Sequence, residues 1–539
     1  MKRLTPRLLA LAILVLGIGF GLRVFKIEAR SLWYDEVFAV LFAEKGVSAM
    51  LYGTLTPVAG GAADIHPLLY YTMLNLWMQN AGQSVLAVRL WSVFWGMLCI
   101  ALAYRIAREL WDAKVGLWAA LLVAVFPFHI HYSQETRMYT LLCALLLGAI
   151  VCFLRAMRPR ERAQHTYGGF AALPLLRLFE RFGVRREDLR LRWWIGFGVC
   201  AGLAMYTQQL AAFTLIALGL WVLSMRRAAV IVGMAIGTGI ALVIYAPWLL
   251  QIPSQLQKIN AYYWVAKPTG LTLFTSHYLF LTVYAELQPP LSFWALGGTV
   301  TLLIVAISLA FLLLRQARFR RERCGLLLVV WLWLGPMLLM WGFSQLSPVY
   351  LERALITSAV MLYIFLAWVL ARGRGPLRLV MIACVVLQVG IGLSTQYVMP
   401  TFPYSPVREA MQCVTSQWQP GDRVVHHVKL SMLPAAYYAR TLDQQYIGDE
   451  PGSAQDTLAV PTQEMLGLLA APTLEVAVGD ASRVWFVVYT RTERELAAMG
   501  ADDLVVMHAA LTARYGHPKL LTFSDLNVYA YGAEIRECE

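Results

Sequence analysis

The stretch "SLWYDEVFAV", residues 31–40, places two carboxylates, Asp35 and Glu36, next to each other among aromatic side chains. A carboxylate beside a reacting hydroxyl can take its proton as a general base. Paired carboxylates can also bind a divalent metal ion. In most proteins adjacent acids are only a solvated loop pair, so their meaning depends on the residues that accompany them.

Further stretches carry ionisable and aromatic residues that suit the same chemistry, because cations bind phosphate groups and carboxylates accept protons. These are Asp64 and His66 in "DIHPLLYY", Gln134, Glu135, Arg137 and Tyr139 in "HYSQETRMY", Tyr263 and Lys267 in "INAYYWVAKP", and Arg353 in "SPVYLERA". Each also has a structural explanation. Tyr139 can anchor a membrane interface, His66 can begin a helix, and Arg137 and Arg353 can pair with acids beside them in the sequence.

The composition identifies the class of protein that must position these residues. The 539-residue chain is 59% hydrophobic and only 14% charged, with a mean hydropathy of +0.59. These values are typical of a polytopic membrane protein. The net charge of +13 does not indicate a nucleic-acid-binding protein, because Lys and Arg cluster between the apolar runs rather than on one folded face.

Apolar runs long enough to cross the hydrocarbon core as helices predict about eleven transmembrane helices. Basic clusters follow alternate runs, which places the N-terminus inside and the opposite loops outside. We therefore expect a membrane domain over residues 1–398, with a first outer loop at about 26–83, and an extracytoplasmic domain over 399–539. The runs are 8–25, 84–104, 116–130, 139–154, 193–207, 210–225, 228–249, 291–314, 325–342, 354–371 and 377–397.

The C-terminal region alternates strand-like and helix-like segments, which predicts a small α/β domain. "DRVVHHV" from Asp422, "RVWFVVYT" from Arg483 and "LNVYAYG" from Leu526 have strand character. Cys413 and Cys538 are the two cysteines outside the apolar spans, where a disulfide between them can form.

The distribution of polar residues distinguishes between classes of function. An ion-coupled transporter needs ionisable groups at mid-membrane depth, whereas this sequence concentrates them in the predicted outer loops. An enzyme acting on a lipid phosphate at the outer leaflet needs a cation for the phosphate and a base for an acceptor hydroxyl. The alternative is a non-catalytic binder or flippase of lipid-linked sugars, in which the carboxylates recognise the sugar without proton transfer.

The sequence resembles bacterial members of the dolichyl-phosphate-mannose protein mannosyltransferase superfamily, which are family 39 glycosyltransferases of the GT-C type and include an aminoarabinose transferase. The resemblance is carried by "SLWYDEVF", by "DIHPLLYYTMLNLW" and by the stretch from Arg89 to Leu142, "RLWSVFWGMLCIALAYRIARELWDAKVGLWAALLVAVFPFHIHYSQETRMYTLL". It continues weakly through "YAPWLL" and "SPVYLERALI".

The resemblance implies a GT-C helix bundle in the bacterial inner membrane with an active site at the outer face. It implies inverting transfer of a sugar from a polyprenyl-phosphate donor to a hydroxyl of a protein, lipid or glycan acceptor. Asp35 would be the catalytic base with Glu36 beside it, and Arg353 would bind phosphate. Asp64 and His66 would line the part of the active site that binds the acceptor or the phosphate. Gln134, Glu135, Arg137 and Tyr139 would belong to the second outer loop of the site.

Two departures from the family pattern concern rigidity and metal binding. Leu68 stands where the family usually has a second proline, which frees the loop after His66. Gln208 stands where many relatives have histidine, which weakens a metal or phosphate role at that position. A divalent metal is compatible with Asp35, Glu36, Asp64 and His66, although their spacing does not require one.

Overall fold

A computed structural model of the chain describes residues 5–58, 61–157, 190–262, 265–283, 289–398, 404–448, 458–532 and 535–536. All eleven predicted apolar runs are helical. Among the described residues, eight helices are long and apolar enough to cross a membrane, and α6 and α7 form a pair bent by 62° that passes the same test. The helices before the C-terminal domain are α1 Pro6–Val24, α2 Tyr34–Glu44, α3 Gly46–Leu55, α4 Leu69–Ala81, α5 Val85–Leu110, α6 Ala113–Val125, α7 Pro127–Ser133, α8 Tyr139–Ala156, α9 Leu191–Thr207, α10 Ala211–Ser224, α11 Ala228–Leu249, α12 Ile252–Tyr262, α13 Gly270–Thr282, α14 Leu291–Arg315, α15 Arg323–Phe343, α16 Ile356–Arg372 and α17 Pro376–Val398.

Helix α16 is the centre of the bundle. The most apolar 18 residues within Glu352–Arg372 are all buried, whereas only 17% of the corresponding residues in α1 are buried, and α1 faces outward. Helices α6, α8, α14 and α15 pack around α16. A short 3-10 turn, Glu352–Leu355, precedes α16, so Arg353 lies at one end of this central helix and Arg372 at the other.

The predicted first outer loop is largely helical. Helices α2, α3 and α4 form most of it, and a small antiparallel hairpin joins β1 (Pro57–Val58) to β2 (Gly61–Ala62). Helix α2 is buried against α4, and residues Val37–Ala43 have little or no exposed surface. The acidic motif therefore begins a packed helix rather than lying in a solvated loop.

The C-terminal domain has a five-stranded sheet in the order β4-β3-β5-β7-β6, in which β3 is parallel to β4 and β5 while β7 is antiparallel to β5 and β6. Its α/β character is confirmed. The elements are α18 Val407–Ser416, β3 Asp422–His426, α19 Lys429–Tyr438, β4 Gln444–Tyr446, α20 Val460–Leu466, α21 Leu474–Val478, β5 Arg483–Tyr489, α22 Thr490–Met499, α23 Asp503–Tyr515, β6 Lys519–Phe523 and β7 Leu526–Tyr531.

Alternate residues of β5 belong to two separate apolar cores. Trp485 and Val487 pack in one, while Val484 and Phe486 pack in the other. Successive side chains of a strand point to opposite faces, so a sheet covered on both sides requires an almost continuous apolar strand. Cys413 is disulfide-bonded, while Cys538 lies outside the described residues.

Candidate active site

The acidic motif forms the first turn of α2, where negative charge is favoured by the helix dipole. Consecutive residues on a helix diverge by about 100°. The carboxylates of Asp35 and Glu36 accordingly point to different partners, and the two residues differ in environment.

Asp35 is held by two guanidinium groups from distant parts of the chain. Its Oδ2 atom lies 2.9 Å from Nη1 of Arg353 and 3.9 Å from Nε of Arg137, and Nη1 of Arg137 donates to its backbone carbonyl at 3.2 Å. Burial alone would raise the pKa of the Asp35 carboxyl, but Arg137 and Arg353 outweigh it and hold the pKa below its usual value. Asp35 is therefore ionised at neutral pH, and its side chain remains 16% exposed.

Glu36 is fully buried in a bidentate ion pair with Arg89, with N–O distances of 2.9 and 2.7 Å. Its Oε1 atom also accepts the backbone N–H of Thr136 at 2.9 Å. Arg89 donates in addition to the carbonyls of Ile27, Arg30 and Ser31. The Glu36–Arg89 pair thus fastens the segment before α2 to α5 and to the loop after α7.

Asp64 and His66 form a second polar pair. Nδ1 of His66 lies 2.7 Å from Oδ1 of Asp64, so the imidazole donates the proton on Nδ1 to this carboxylate. Burial opposes ionisation of Asp64, but His66 and Lys258 outweigh it and lower the pKa of Asp64 to about 2. The His66 side chain is 25% exposed.

Tyr71 links this pair to Asp35. Its hydroxyl accepts from Nη1 of Arg137 at 3.3 Å, and its ring meets the His66 ring edge-on at a centroid distance of 6.5 Å. His66 also contributes to the low pKa of Asp35. The structure therefore brings Asp35, Asp64 and His66 into one electrostatic group.

The loop between α7 and α8 supplies residues with different roles. The amide of Gln134 donates to the carbonyls of Arg23 and Phe25 at 3.0 and 2.9 Å, so it joins this loop to the end of α1. Glu135 accepts from the indole of Trp33 at 2.9 Å. The described contacts of Gln134 therefore connect helices, whereas Glu135 lies beside the acidic motif.

Arg353 also contacts Tyr139 at the start of α8. The guanidinium lies 5.5 Å from the centroid of the tyrosine ring, a cation–π arrangement. Tyr139 is buried. The Arg353 guanidinium is therefore held by the Tyr139 ring as well as by the Asp35 carboxylate.

The remaining two predicted site residues are Lys267 and Tyr263. Lys267 is exposed in the loop between α12 and α13, and it forms no ion pair with any of the described residues. Tyr263 lies outside the described residues.

Arg89, Tyr71 and Trp33 bond to predicted site residues but were not among them. A signal for Arg89 was available, because an arginine in the first turns of an otherwise apolar helix needs a buried counter-charge. Tyr71 and Trp33 lie inside the motifs "DIHPLLYY" and "SLWYDEVF", but sequence alone does not separate them from the other aromatic residues there.

A soft-ligand group lies elsewhere in the bundle, where ligand atoms of Cys99, His129 and Cys143 are within 4.8 Å of one another. Arg23 donates to Nδ1 of His129 at 2.9 Å. Because a guanidinium has no acceptor, Nδ1 must accept and the neutral ring carries its proton on Nε2. His129 then has no lone pair for a metal, so these residues do not fit a metal site.

Glu135→Gln is expected to change how stability depends on pH. Burial, followed by repulsion from Glu36, raises the pKa of Glu135 from 4.5 to about 8. The folded state then holds the proton more tightly than the unfolded state, so the free energy of unfolding falls as the pH rises from 4.5 to about 8. The glutamine variant lacks this pH-dependent loss of stability. Its side-chain oxygen can still accept the indole N–H of Trp33. Its melting temperature relative to wild type should increase between about pH 5 and pH 8.

The exposed Glu495→Gln variant is the control for this measurement, and it should show no such trend. A difference between Glu135→Gln and wild type that stays constant over this pH range would contradict the proton assignment. Thermal unfolding in one detergent at matched ionic strength provides the comparison.

Residues 65–176 match the family model described as dolichyl-phosphate-mannose-protein mannosyltransferase. No curated protein sequence matches the chain. The crystal structure of ArnT from Cupriavidus metallidurans bound to undecaprenyl phosphate is similar, with a TM-score of 0.58 at 12% identity, covering 96% of this chain and 97% of that one.

Two structures of the Archaeoglobus fulgidus oligosaccharyltransferase are also similar. The apo form has a TM-score of 0.53 at 11% identity and covers 97% of this chain and 74% of that one. AglB in complex with an inhibitory peptide and a dolichol-phosphate has a TM-score of 0.52 at 13% identity, covering 98% and 74%. The chain therefore has an ArnT-like GT-C fold, and the family resemblance of its sequence is confirmed by the match over residues 65–176.

Proposed function

We propose that the protein is an inverting glycosyltransferase that moves a sugar from a polyprenyl-phosphate donor to an acceptor hydroxyl at the outer face of the membrane. The observation that carries this proposal is the ionised carboxylate of Asp35, held 2.9 Å from Arg353 and 3.9 Å from Arg137 in a GT-C fold. A base and two cations adjoin at this point, as transfer from a lipid phosphate requires.

The two arginines are the candidate binding groups for the donor phosphate. The similar ArnT structure contains undecaprenyl phosphate, and the similar AglB structure contains dolichol-phosphate. Arg353 and Arg137 present guanidinium groups that match phosphate oxygens in geometry. A phosphate between them would also draw these cations away from Asp35, which raises the proton affinity of the Asp35 carboxylate when the donor is bound.

The reaction then follows from this arrangement. The acceptor oxygen forms a bond to the anomeric carbon from the side opposite the phosphate, and the bond from that carbon to the phosphate oxygen breaks. The polyprenyl phosphate leaves with the electron pair, and the guanidinium groups offset its charge. Oδ2 of Asp35 faces Arg353, and Oδ1 takes the proton of the acceptor hydroxyl. Attack from the opposite side inverts the configuration of the sugar.

The other site residues take supporting roles in this proposal. Glu36 positions Asp35 through Arg89, since its own carboxylate is fully buried. Asp64 and His66 line the acceptor or phosphate side, and Glu135, with Tyr139, forms the wall beside Arg353. Lys267 and Tyr263 remain sequence-based candidates for phosphate or substrate binding. Protein, lipid and glycan hydroxyls all fit the chemistry as acceptors.

The orientation in the membrane is part of the proposal. Arg353 and the acidic motif lie at one end of α16, and the C-terminal domain packs at that end, where Tyr438 bonds the backbone of Leu32. Arg372 lies at the opposite end with Asp112 and Glu322. The positive-inside rule places the Arg372 end in the cytoplasm. The site and the domain formed by 399–539 then face outward from a bacterial inner membrane, with 1–398 as the membrane domain.

Mass spectrometry of lipid extracts tests the function directly. Membranes with and without the protein are incubated with a crude acceptor mixture, and polyprenyl-phosphate sugars and free polyprenyl phosphate are followed over time. Depletion of one donor with release of its carrier supports the transferase and identifies the sugar. If every donor persists while lipid-linked sugars cross the bilayer faster, the protein is the binder or flippase instead.

Arg353→Lys is expected to raise the donor KM by roughly 10-fold or more, because hydrogen bonds to charged groups contribute about 1.5–3 kcal/mol. Lysine keeps the charge but loses the planar fork and the stacking on Tyr139. Initial rates against donor concentration give the KM. Arg440→Lys, at the exposed pair with Glu44, is the matched control. A donor KM equal to that of the control would exclude phosphate binding by Arg353.

A further inference from the structure

The C-terminal domain forms hydrogen bonds to the chain segment that precedes the acidic motif. The backbone N–H of Leu32 donates to the hydroxyl of Tyr438 at 2.8 Å. The hydroxyl of Ser31 lies 3.4 Å from Glu409 and receives the N–H of Arg408 at 3.4 Å. Arg408 also donates from its side chain to the carbonyl of Glu28 at 3.1 Å. The contacts therefore run along residues 28–32.

This segment determines where the first turn of α2 begins. Trp33 is extended, with φ −90° and ψ 174°, and the helix starts at the next residue. Leu32 is completely buried, and a buried backbone N–H requires a hydrogen-bond partner. The hydroxyl of Tyr438 provides that partner from a different domain, three residues before Asp35.

The bundle holds the same segment from the other side. Arg89 bonds the carbonyls of Ile27 and Arg30 as well as the carboxylate of Glu36. The segment is thus fixed between α5 of the bundle and α19 of the C-terminal domain. Asp35 follows directly from a backbone that both domains restrain.

We propose that Tyr438 is a positioning residue for Asp35. Its hydroxyl fixes the backbone at Leu32, and thereby sets the place of the Asp35 carboxylate relative to Arg353 and to the acceptor hydroxyl. The expected effect on turnover rests on the proposed function, whereas the restraint of residues 28–36 does not depend on it. The C-terminal domain would then be part of the catalytic framework.

The neighbouring Tyr437 offers a matched control. It lies on the same helix, its ring is 4.9 Å from that of Tyr438, and its hydroxyl donates to the carbonyl of Gln83 in front of α5. Replacement of either tyrosine by phenylalanine removes one hydroxyl and one hydrogen bond between the two domains. Only Tyr438→Phe removes a bond to the segment before Asp35.

The experiment compares wild type, Tyr438→Phe and Tyr437→Phe as full-length chains in the same detergent. Hydrogen exchange followed by mass spectrometry should show faster exchange of peptides spanning 28–36 in Tyr438→Phe only. Steady-state kinetics should show kcat reduced by about 10-fold in Tyr438→Phe with the donor KM unchanged, since small misplacements of a reacting group cost up to roughly 100-fold. Equal melting temperatures of the two variants exclude general unfolding as the cause.

Unchanged exchange in Tyr438→Phe, or equal changes in both variants, would overturn the inference. Faster exchange with an unchanged kcat would overturn it as well, because the restraint would then not serve turnover. If wild type transfers no sugar, the proposed function fails, and the exchange of residues 28–36 still decides whether Tyr438 restrains this segment.

Discussion

Asp35→Asn is expected to lower kcat by roughly 10²–10⁴-fold, the usual contribution of a general base. Asparagine has nearly the same shape but does not take the proton of the acceptor hydroxyl. The donor KM should stay the same or fall, because Arg353 and Arg137 lose their competing carboxylate and remain available to phosphate. Single-turnover release of polyprenyl phosphate measures the chemical step, and titration with the donor measures binding.

Glu44→Gln is the control for this experiment, because Glu44 ends the same helix and pairs with Arg440. It should turn over at the wild-type rate. If the Asp35→Asn variant had full transfer activity, Asp35 would not be the general base. A variant that lost donor binding together with turnover would show that Asp35 acts on the donor rather than on the acceptor.

Arg89→Met is expected to cost about 3–5 kcal/mol of stability, the range for removal of one partner from a buried ion pair. Glu36 would keep a buried charge without its counter-ion, and the carbonyls of Ile27, Arg30 and Ser31 would lose their donor. The Arg89 and Glu36 side chains are at most 1% exposed, so water cannot hydrate the carboxylate that is left without its partner. Thermal unfolding in detergent should show a large fall in the melting temperature.

Two variants control this prediction. Arg408→Met breaks an ion pair with Glu409 in which the side chains are 30% and 44% exposed, and also one hydrogen bond to the carbonyl of Glu28. An exposed pair contributes about 1 kcal/mol or less and a hydrogen bond about 1 kcal/mol, so the loss should be smaller than that of Arg89→Met. Glu36→Gln combined with Arg89→Met removes both charges and should recover part of the loss. If Arg89→Met and Arg408→Met unfold at the same temperature, the buried pair does not contribute in this way.

The membrane architecture could be predicted from sequence because it depends on local properties. A run of apolar residues specifies a helix wherever lipid or other helices surround it, and all eleven runs are helical. The short runs 193–207 and 210–225 correspond to α9 and α10, of 17 and 14 residues. In the C-terminal domain, β3, β5 and β7 could be recognised because each contains adjacent β-branched or aromatic residues. β4 has only three residues and β6 is mostly exposed, so neither has a strong pattern.

The sequence could identify candidate site residues but not their arrangement. The adjacency of Asp35 and Glu36 indicated chemistry, yet their different environments depend on Arg353 and Arg89, which are 318 and 53 positions away in sequence. Gln134 shows the same limit. Its position in a conspicuous motif indicated a site residue, whereas its amide is used to satisfy carbonyls at the end of α1.

The complete burial of the central helix α16 has a consequence for biogenesis. A span with no side facing lipid reaches its final place only when the surrounding helices are already in the membrane to receive it. Arg353 immediately precedes this span and arrives with it, so the ion pair with Asp35 forms after most of the chain has been inserted. Before that stage Asp35 has only Arg137 as a neighbouring cation, so the complete group of one carboxylate and two guanidinium groups is among the last parts of the bundle to form.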